Sequence, residues 1–165
     1  MMNTRRSIAG LFMLALAAAP ATARAADLSD YVGEWRGTGS FARTTSNEKR
    51  DGRLTCKLVI KASSATVIVI DGRCAAPEGS RGFSTRVTDR GGGRVSGEEL
   101  KGTGARRGRK SSGTLGGSGL RLDGSDSFGT FRFALSAPKQ GRTEMRSSAT
   151  EDGKSESAQV VLKRK

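Results

Sequence analysis

Residues 56–74, CKLVIKASSATVIVIDGRC, decide the fold, because two apolar segments of alternating character lie between the two cysteines of the chain. If Cys56 lies opposite Cys74 in an antiparallel hairpin, the even-numbered apolar residues of both strands share one face. The other opposed pairs in that register are Leu58 with Gly72, Ile60 with Ile70, and Ala62 with Ile68. The disulfide and the hydrophobic alternation require the same register, so the stretch predicts a β-hairpin closed by a Cys56–Cys74 disulfide. A redox-active pair is the alternative, and the absence of Cys-x-x-Cys spacing and of histidine argues against it.

The same alternation continues outward from the hairpin in both directions. From Tyr31 to Phe41 the odd positions, which include Trp35, are apolar or glycine, and the even positions from 34 to 40 are polar. After residue 25 the chain has no amphipathic helical repeat of useful length. The further candidate strands are 53–62, 66–73, 82–89, 94–100, 112–117, 120–124, 128–136, 143–149 and 157–163. This pattern predicts an all-β fold, a single small antiparallel meander barrel of about 8–10 strands, with a two-sheet sandwich as the alternative.

An export signal is predicted at the N-terminus. Two arginines precede an apolar run over residues 8–19, and Ala-Arg-Ala at 23–25 supplies the small residues of a cleavage site. The run is shorter than the roughly 20 residues that a membrane-spanning helix needs. The sequence therefore predicts a removed signal peptide over residues 1–25, one barrel domain over 26–165, and a periplasmic or secreted location. It leaves open whether the general secretory or the twin-arginine route is used.

Charge and composition limit the function. The chain has 29 basic and 16 acidic residues and a net charge of +13, and three of the basic residues belong to the predicted signal peptide. It contains no histidine, which removes the commonest general base and the commonest zinc and haem ligand. We therefore expect no catalytic residue, no metal site and no cofactor. The positive charge favours anionic partners such as lipopolysaccharide or anionic lipid.

The densest group of cations is Arg106-Arg107-Gly108-Arg109-Lys110, in a predicted loop between strands. Arg106, Arg107, Arg109 and Lys110 form a candidate anion-binding site, because four cations at this spacing attract phosphate-rich partners. A solvated loop that aids solubility is the alternative. The aromatic residues that stack on bases are not interleaved with these cations, which argues against sequence-specific binding of nucleic acid.

The segment Gly33-Glu34-Trp35-Arg36-Gly37-Thr38-Gly39 resembles the first strand of known β-barrel families. Gly33 and Trp35 form a Gly-x-Trp sequence that is similar to the opening of calycin barrels such as lipocalins. With Gly37 and Gly39 included, the stretch is similar to the start of nitrobindin-type haem barrels. The resemblance implies that Trp35 packs across the closed end of a barrel. Haem binding is not implied, because the haem-bearing relatives bind iron through a histidine.

The chain also resembles small exported bacterial inhibitors of metalloproteases, which are Gly-x-Trp barrels with one disulfide. In that family the segment before the barrel enters the protease cleft, and the corresponding residues here are 26–30. The expected function is a non-enzymatic exported β-barrel that does not span the membrane and that binds an envelope component, a polyanion or a small ligand. A protease inhibitor is the alternative. A cavity of roughly 300 Å³ or more inside the barrel would favour a small-ligand carrier.

Overall fold

A computed structural model describes residues 26–101, 108–127 and 129–165. The predicted signal peptide, residues 1–25, lies outside the described residues. In the three described ranges, no helix has the length and apolar character needed to cross a membrane.

Ten antiparallel strands close into one barrel, which confirms the predicted all-β meander. Each strand pairs with its neighbours along the chain, and the last strand closes the barrel by pairing with the first. The strands are β1 Gly33–Thr44, β2 Lys49–Ser64, β3 Val67–Ala76, β4 Gly79–Gly91, β5 Arg94–Lys101, β6 Lys110–Gly116, β7 Gly119–Asp126, β8 Gly129–Ser136, β9 Arg142–Glu151 and β10 Lys154–Arg164. A short 3-10 helix, Leu28–Tyr31, precedes β1.

Strands β2 and β3 form the hairpin in the predicted register. Cys56 lies opposite Cys74, and a disulfide joins them. Ile60 lies opposite Ile70, and the turn follows Ser64. Both isoleucines are buried, so the agreement between the disulfide and the hydrophobic pattern identified the inward face correctly.

The apolar core fills one end of the barrel, which we call the closed end. The 3-10 helix packs against this end and contributes Leu28 and Tyr31, which are 3% and 0% exposed. Trp35 is fully buried, and its indole Nε1 donates a hydrogen bond to the Tyr31 carbonyl oxygen at 2.7 Å. The strands complete this core with Leu58, Ile60, Ile68, Ile70, Val87, Val95, Leu120, Leu135, Val160 and Leu162.

Strands β1 and β10 approach each other closely at two glycines. A Cβ on Gly37 would lie 1.8 Å from the Val161 carbonyl oxygen, and a Cβ on Gly39 would lie 1.9 Å from the Gln159 carbonyl oxygen. Neither position has room for a side chain without moving the backbone of β10. The glycines that follow Trp35 therefore have a packing role in closing the barrel.

Most strands extend a few residues beyond their predicted bounds, and the start of the first strand differs in kind. Tyr31 ends the 3-10 helix, whereas the alternation had placed it at the start of the first strand. The helix forms because Asp27 and Asp30 make a capping box: the Asp27 carboxylate accepts from the Ser29 N–H, and the Asp30 carboxylate accepts from the Asp27 N–H, both at 2.8 Å.

Candidate functional site

The half of the barrel opposite the closed end, which we call the open end, contains a cavity of about 1300 Å³. Leu54, Leu122 and Met145 form its floor and belong also to the core. Between this floor and the mouth, several inward positions carry small side chains such as Ser111 and Ser147. These small residues leave the space that large aliphatic residues fill at the closed end.

Four phenylalanines line the cavity, and three of them cover a glycine on the neighbouring strand. The cross-strand pairs are Phe41 with Gly52, Phe83 with Gly72, and Phe131 with Gly124. A Cβ on Gly72 would lie 2.2 Å from the Phe83 ring, so the ring occupies the space above its glycine partner. Phe133 meets Phe83 edge to face, with 5.7 Å between ring centroids. The rings give the cavity an aromatic wall and leave its centre open.

Charged side chains surround the mouth of the cavity. Arg43 Nε lies 2.6 Å from Glu156 Oε1, and Arg81 Nη1 donates to both oxygens of Glu156 at 3.0 and 2.9 Å. Arg81 lies on β4 and Glu156 on β10, so their contact spans the three strands between them. We call Arg43, Arg81 and Glu156 the mouth cluster. Two guanidinium groups share one carboxylate in this cluster, which leaves an excess of one positive charge.

Arg109 belongs to a second charged group, in which it is held inside the protein. Its side chain is 5% exposed, and its guanidinium lies over the Phe131 ring at 4.3 Å from the centroid. Nε and Nη2 donate to the two oxygens of Asp126, and Nη1 donates to Glu151 at 3.3 Å. Burial lowers the pKa of Arg109, but the hydrogen bonds and charges of Asp126 and Glu151 outweigh burial, and the pKa is raised. The two carboxylates fix this guanidinium as part of the cavity wall.

The predicted anion-binding cluster is only partly described. Arg106 and Arg107 lie outside the described residues. Lys110 is exposed at the start of β6, whereas Arg109 is buried and directs its charge to carboxylates within the protein. Arg109 is not a solvated cation, because alternation points its side chain inward next to the outward Lys110. Anion binding by the loop itself stays a prediction.

Trp35 lies at the closed end, as the Gly-x-Trp resemblance implied. The Arg164 guanidinium covers its ring at 4.6 Å from the centroid and donates to the Asp30 carbonyl oxygen. The Tyr31 hydroxyl has no hydrogen-bond partner of good geometry. Burial raises the pKa of Tyr31 to about 12, against a smaller lowering effect of the Leu120 backbone. The closed end is a packed structural element, which leaves the open end as the candidate site.

The mouth cluster was not predicted from the sequence, although the strand alternation contains a signal for it. Arg43 is an even number of residues from the buried Trp35 on β1, and Glu156 is an even number from the buried Leu162 on β10. A charged residue with the parity of the core must face the interior of the barrel. Over the ranges 26–101, 108–127 and 129–165, no three His, Cys, Asp or Glu residues are grouped as a metal site requires.

Comparison with known proteins shows the fold alone. Neither family models nor curated proteins give a match to this chain. A protein of unknown function from the DUF3598 family of Nostoc punctiforme PCC 73102 is similar in structure, with a TM-score of 0.61 and 15% identity over 90% of this chain. This chain spans about half (53%) of the length of that protein. The S-type phycobiliprotein lyase of Guillardia theta is similar with a TM-score of 0.53 and 8% identity, over 84% of this chain and 90% of the lyase. The chain therefore shares a β-barrel fold with these two proteins.

Proposed function

We propose that this protein is an exported, non-enzymatic carrier that holds a small amphipathic ligand with an acidic group in the open end of its barrel. The cavity of about 1300 Å³ carries the proposal. Small-ligand sites are typically about 300–1,000 Å³ in volume, so this cavity has ample room for such a ligand. Export rests on the arginine, apolar and small-residue order of residues 1–25. The non-enzymatic role rests on a sequence without histidine.

The two parts of the site suit the two parts of such a ligand. The phenylalanine rings and the floor offer apolar surface to the body of the ligand. The mouth cluster offers its excess positive charge to an acidic group. Arg81 is 62% exposed, and exposed ion pairs contribute only about 0–1 kcal/mol, so Arg81 can exchange Glu156 for an anionic ligand at small cost. An anionic lipid, which the net charge also favours as a partner, has this chemical character.

The fold comparison supports a binding role without identifying the ligand. One barrel of similar fold is a phycobiliprotein lyase. The protease-inhibitor alternative has less support, because the segment before β1 is fixed to the barrel. Leu28 and Tyr31 are buried in the core, and Arg164 donates to the Asp30 carbonyl oxygen. Insertion of this segment into a protease cleft would expose both core residues.

A pair of matched dyes tests the proposal. Anilinonaphthalene sulfonate has an aromatic body and a sulfonate, and phenylnaphthylamine has the same body without the charge. Ala158→Trp places a large ring inside the cavity, whereas Gln159→Trp places the same ring on the outer face of β10. We expect Ala158→Trp to weaken binding of both dyes by about tenfold or more and Gln159→Trp to leave it unchanged. Arg81→Ser should weaken binding of the sulfonate dye alone, by about threefold to tenfold.

Fluorescence titration measures these affinities, and near-ultraviolet circular dichroism confirms that each variant is folded. Equal dye affinity in the Ala158→Trp and Gln159→Trp variants would mean that the dyes bind outside the cavity. That result would contradict the proposed carrier function. Equal effects of Arg81→Ser on both dyes would still support binding in the cavity, but they would contradict the proposal that the ligand carries an acidic group.

A further inference from the structure

Six basic residues form one continuous row across the outer face of the barrel, which we call the cationic row. Each member lies directly opposite the next in the strand register, although Arg36 and Lys163 are far apart in sequence. Arginine and lysine alternate along it, in the order Arg73, Lys57, Arg36, Lys163, Arg142 and Lys139. The row crosses β3, β2, β1, β10 and β9 and ends in the loop after β8.

Few anionic groups of the protein reach this row. All six residues are exposed. Among the described residues, the row makes one ion pair, between Lys57 Nζ and Glu34 Oε2 at 3.5 Å. Arg73 donates to the Ser80 hydroxyl at 2.8 Å, which leaves its charge uncompensated. The neighbouring Glu144 pairs with a cation outside the row, Arg146, at 2.7 Å.

Like charges placed directly opposite each other destabilise a sheet, and here five successive cross-strand pairs are like-charged. The outward faces of other strands show the usual arrangement, in which cations contact acids: Arg86 with Glu98, and Arg121 and Arg132 with Asp123. We propose that the cationic row binds a flexible linear polyanion without bases, in the manner of an acidic polysaccharide or a polyphosphate chain. Bound anions would relieve the repulsion between the cross-strand pairs.

The shape of the row favours a flexible chain. With about 4.8 Å between neighbouring strands, the row is on the order of 24 Å long, and it passes round half of a ten-stranded barrel. A flat membrane would contact only part of such a curved row, whereas a flexible chain can follow it. Single-stranded nucleic acid also bends, but the row has no aromatic member on which bases could stack. The arginine forks suit carboxylate, sulfate and phosphate groups alike.

Two variants of equal charge test the proposal in the full chain. The row variant carries Arg36→Ser, Arg142→Ser and Lys163→Ser. The control variant removes three exposed cations from strands β4, β5 and β7, which lie outside the row, by Arg90→Ser, Arg94→Ser and Arg121→Ser. Fluorescence anisotropy with labelled heparin oligosaccharides and labelled polyphosphate measures affinity as a function of salt. We expect a loss of about tenfold in the row variant and about twofold in the control, with a slope of log affinity against log salt that is smaller by about 2 in the row variant.

Affinity should rise with chain length until the chain spans the row, and then level off. Preference for heparin or for polyphosphate would identify the anion while supporting the row. Equal loss in the two variants would overturn the proposal, because the charge would then act only as a general field. Tighter binding to anionic phospholipid vesicles or to oligothymidine than to both linear polyanions would also overturn it. Dye binding in the cavity should be unchanged in the row variant, which separates this surface from the carrier site.

Discussion

The two ends of the barrel are built from the same strands, yet one end is filled and the other is open. Strand β1 contributes the fully buried Trp35 to the closed end and Arg43 to the mouth of the cavity. Strand β10 likewise contributes the fully buried Leu162 to the closed end and Glu156 to the mouth. Stability and binding are therefore separated along each strand. Changes at the closed end should alter unfolding, and changes at the open end should alter binding.

Removing the tryptophan ring from the closed-end core should destabilise the protein more than any other single change. Trp35→Ala should lower the free energy of unfolding by about 3–5 kcal/mol, because a large ring is removed from a fully buried position. Phe133→Ala should cost only about 1 kcal/mol, because its ring is half-buried beside a cavity that is already open. Urea unfolding followed by far-ultraviolet circular dichroism measures both.

Two further measurements separate the roles of Trp35 and Phe133. If Trp35→Ala does not fold, Trp35→Phe keeps a ring in place and should show a smaller loss. Dye affinity should fall in Phe133→Ala and stay near the wild-type value in Trp35→Phe. Equal losses of stability from truncation at Trp35 and at Phe133 would mean that the open end packs as a core, and would contradict the division between the ends.

The architecture could be predicted from sequence wherever two local constraints agreed. At Cys56 and Cys74 the disulfide and the alternation required one register, and the structure has it. The parity of Trp35 gave the inward face of β1 correctly. These predictions succeeded because strand alternation is a local property with a fixed period of two residues.

The candidate site depends on distances that no local pattern contains. Arg109 meets Asp126 and Glu151 across 17 and 42 residues of sequence, so alternation could place its side chain inward but could not identify these partners. The cationic row depends on the pairing of Arg36 with Lys163, which exists only after β10 has closed on β1. The cavity volume depends on how the rings of Phe41, Phe83 and Phe131 pack over the glycines opposite them. Composition does not determine this packing.

The disulfide should have the second largest effect on stability, because it links β2 and β3 at the level where the two ends meet. Cys56 belongs to the core, and Cys74 lines the cavity. Replacing both by alanine should cost on the order of 3 kcal/mol in the chain-entropy model and lower the melting temperature by about 10 °C. Thr55→Ala, on the outward face of the same strand, is the control and should change the melting temperature by about 1 °C or less. If the double variant has the same melting temperature as the wild type, the hairpin does not depend on the disulfide for its stability.

The smallest effect at neutral pH is expected at Tyr31, which tests whether the closed end excludes water. Its hydroxyl has no hydrogen-bond partner of good geometry, so Tyr31→Phe should change the free energy of unfolding by about 0.5 kcal/mol or less at neutral pH. The expected difference appears at alkaline pH. The pKa of Tyr31 in the folded barrel is about 12, above the ordinary value of 10.0, because burial disfavours the phenolate.

The folded state therefore holds the phenol proton more tightly than the unfolded chain does. The stabilisation from this difference is fully present below the unfolded pKa of 10.0 and is lost as the pH rises through about 12. A shift of about two units corresponds to roughly 2–3 kcal/mol, so wild-type stability should fall by that amount relative to Tyr31→Phe across this window. The chain has one tyrosine and one tryptophan, so tyrosinate absorbance reports the titration of Tyr31 and Trp35 fluorescence reports unfolding of the same end. If Tyr31 titrates near its ordinary pKa while Trp35 stays buried, water reaches the hydroxyl and the closed end is not sealed.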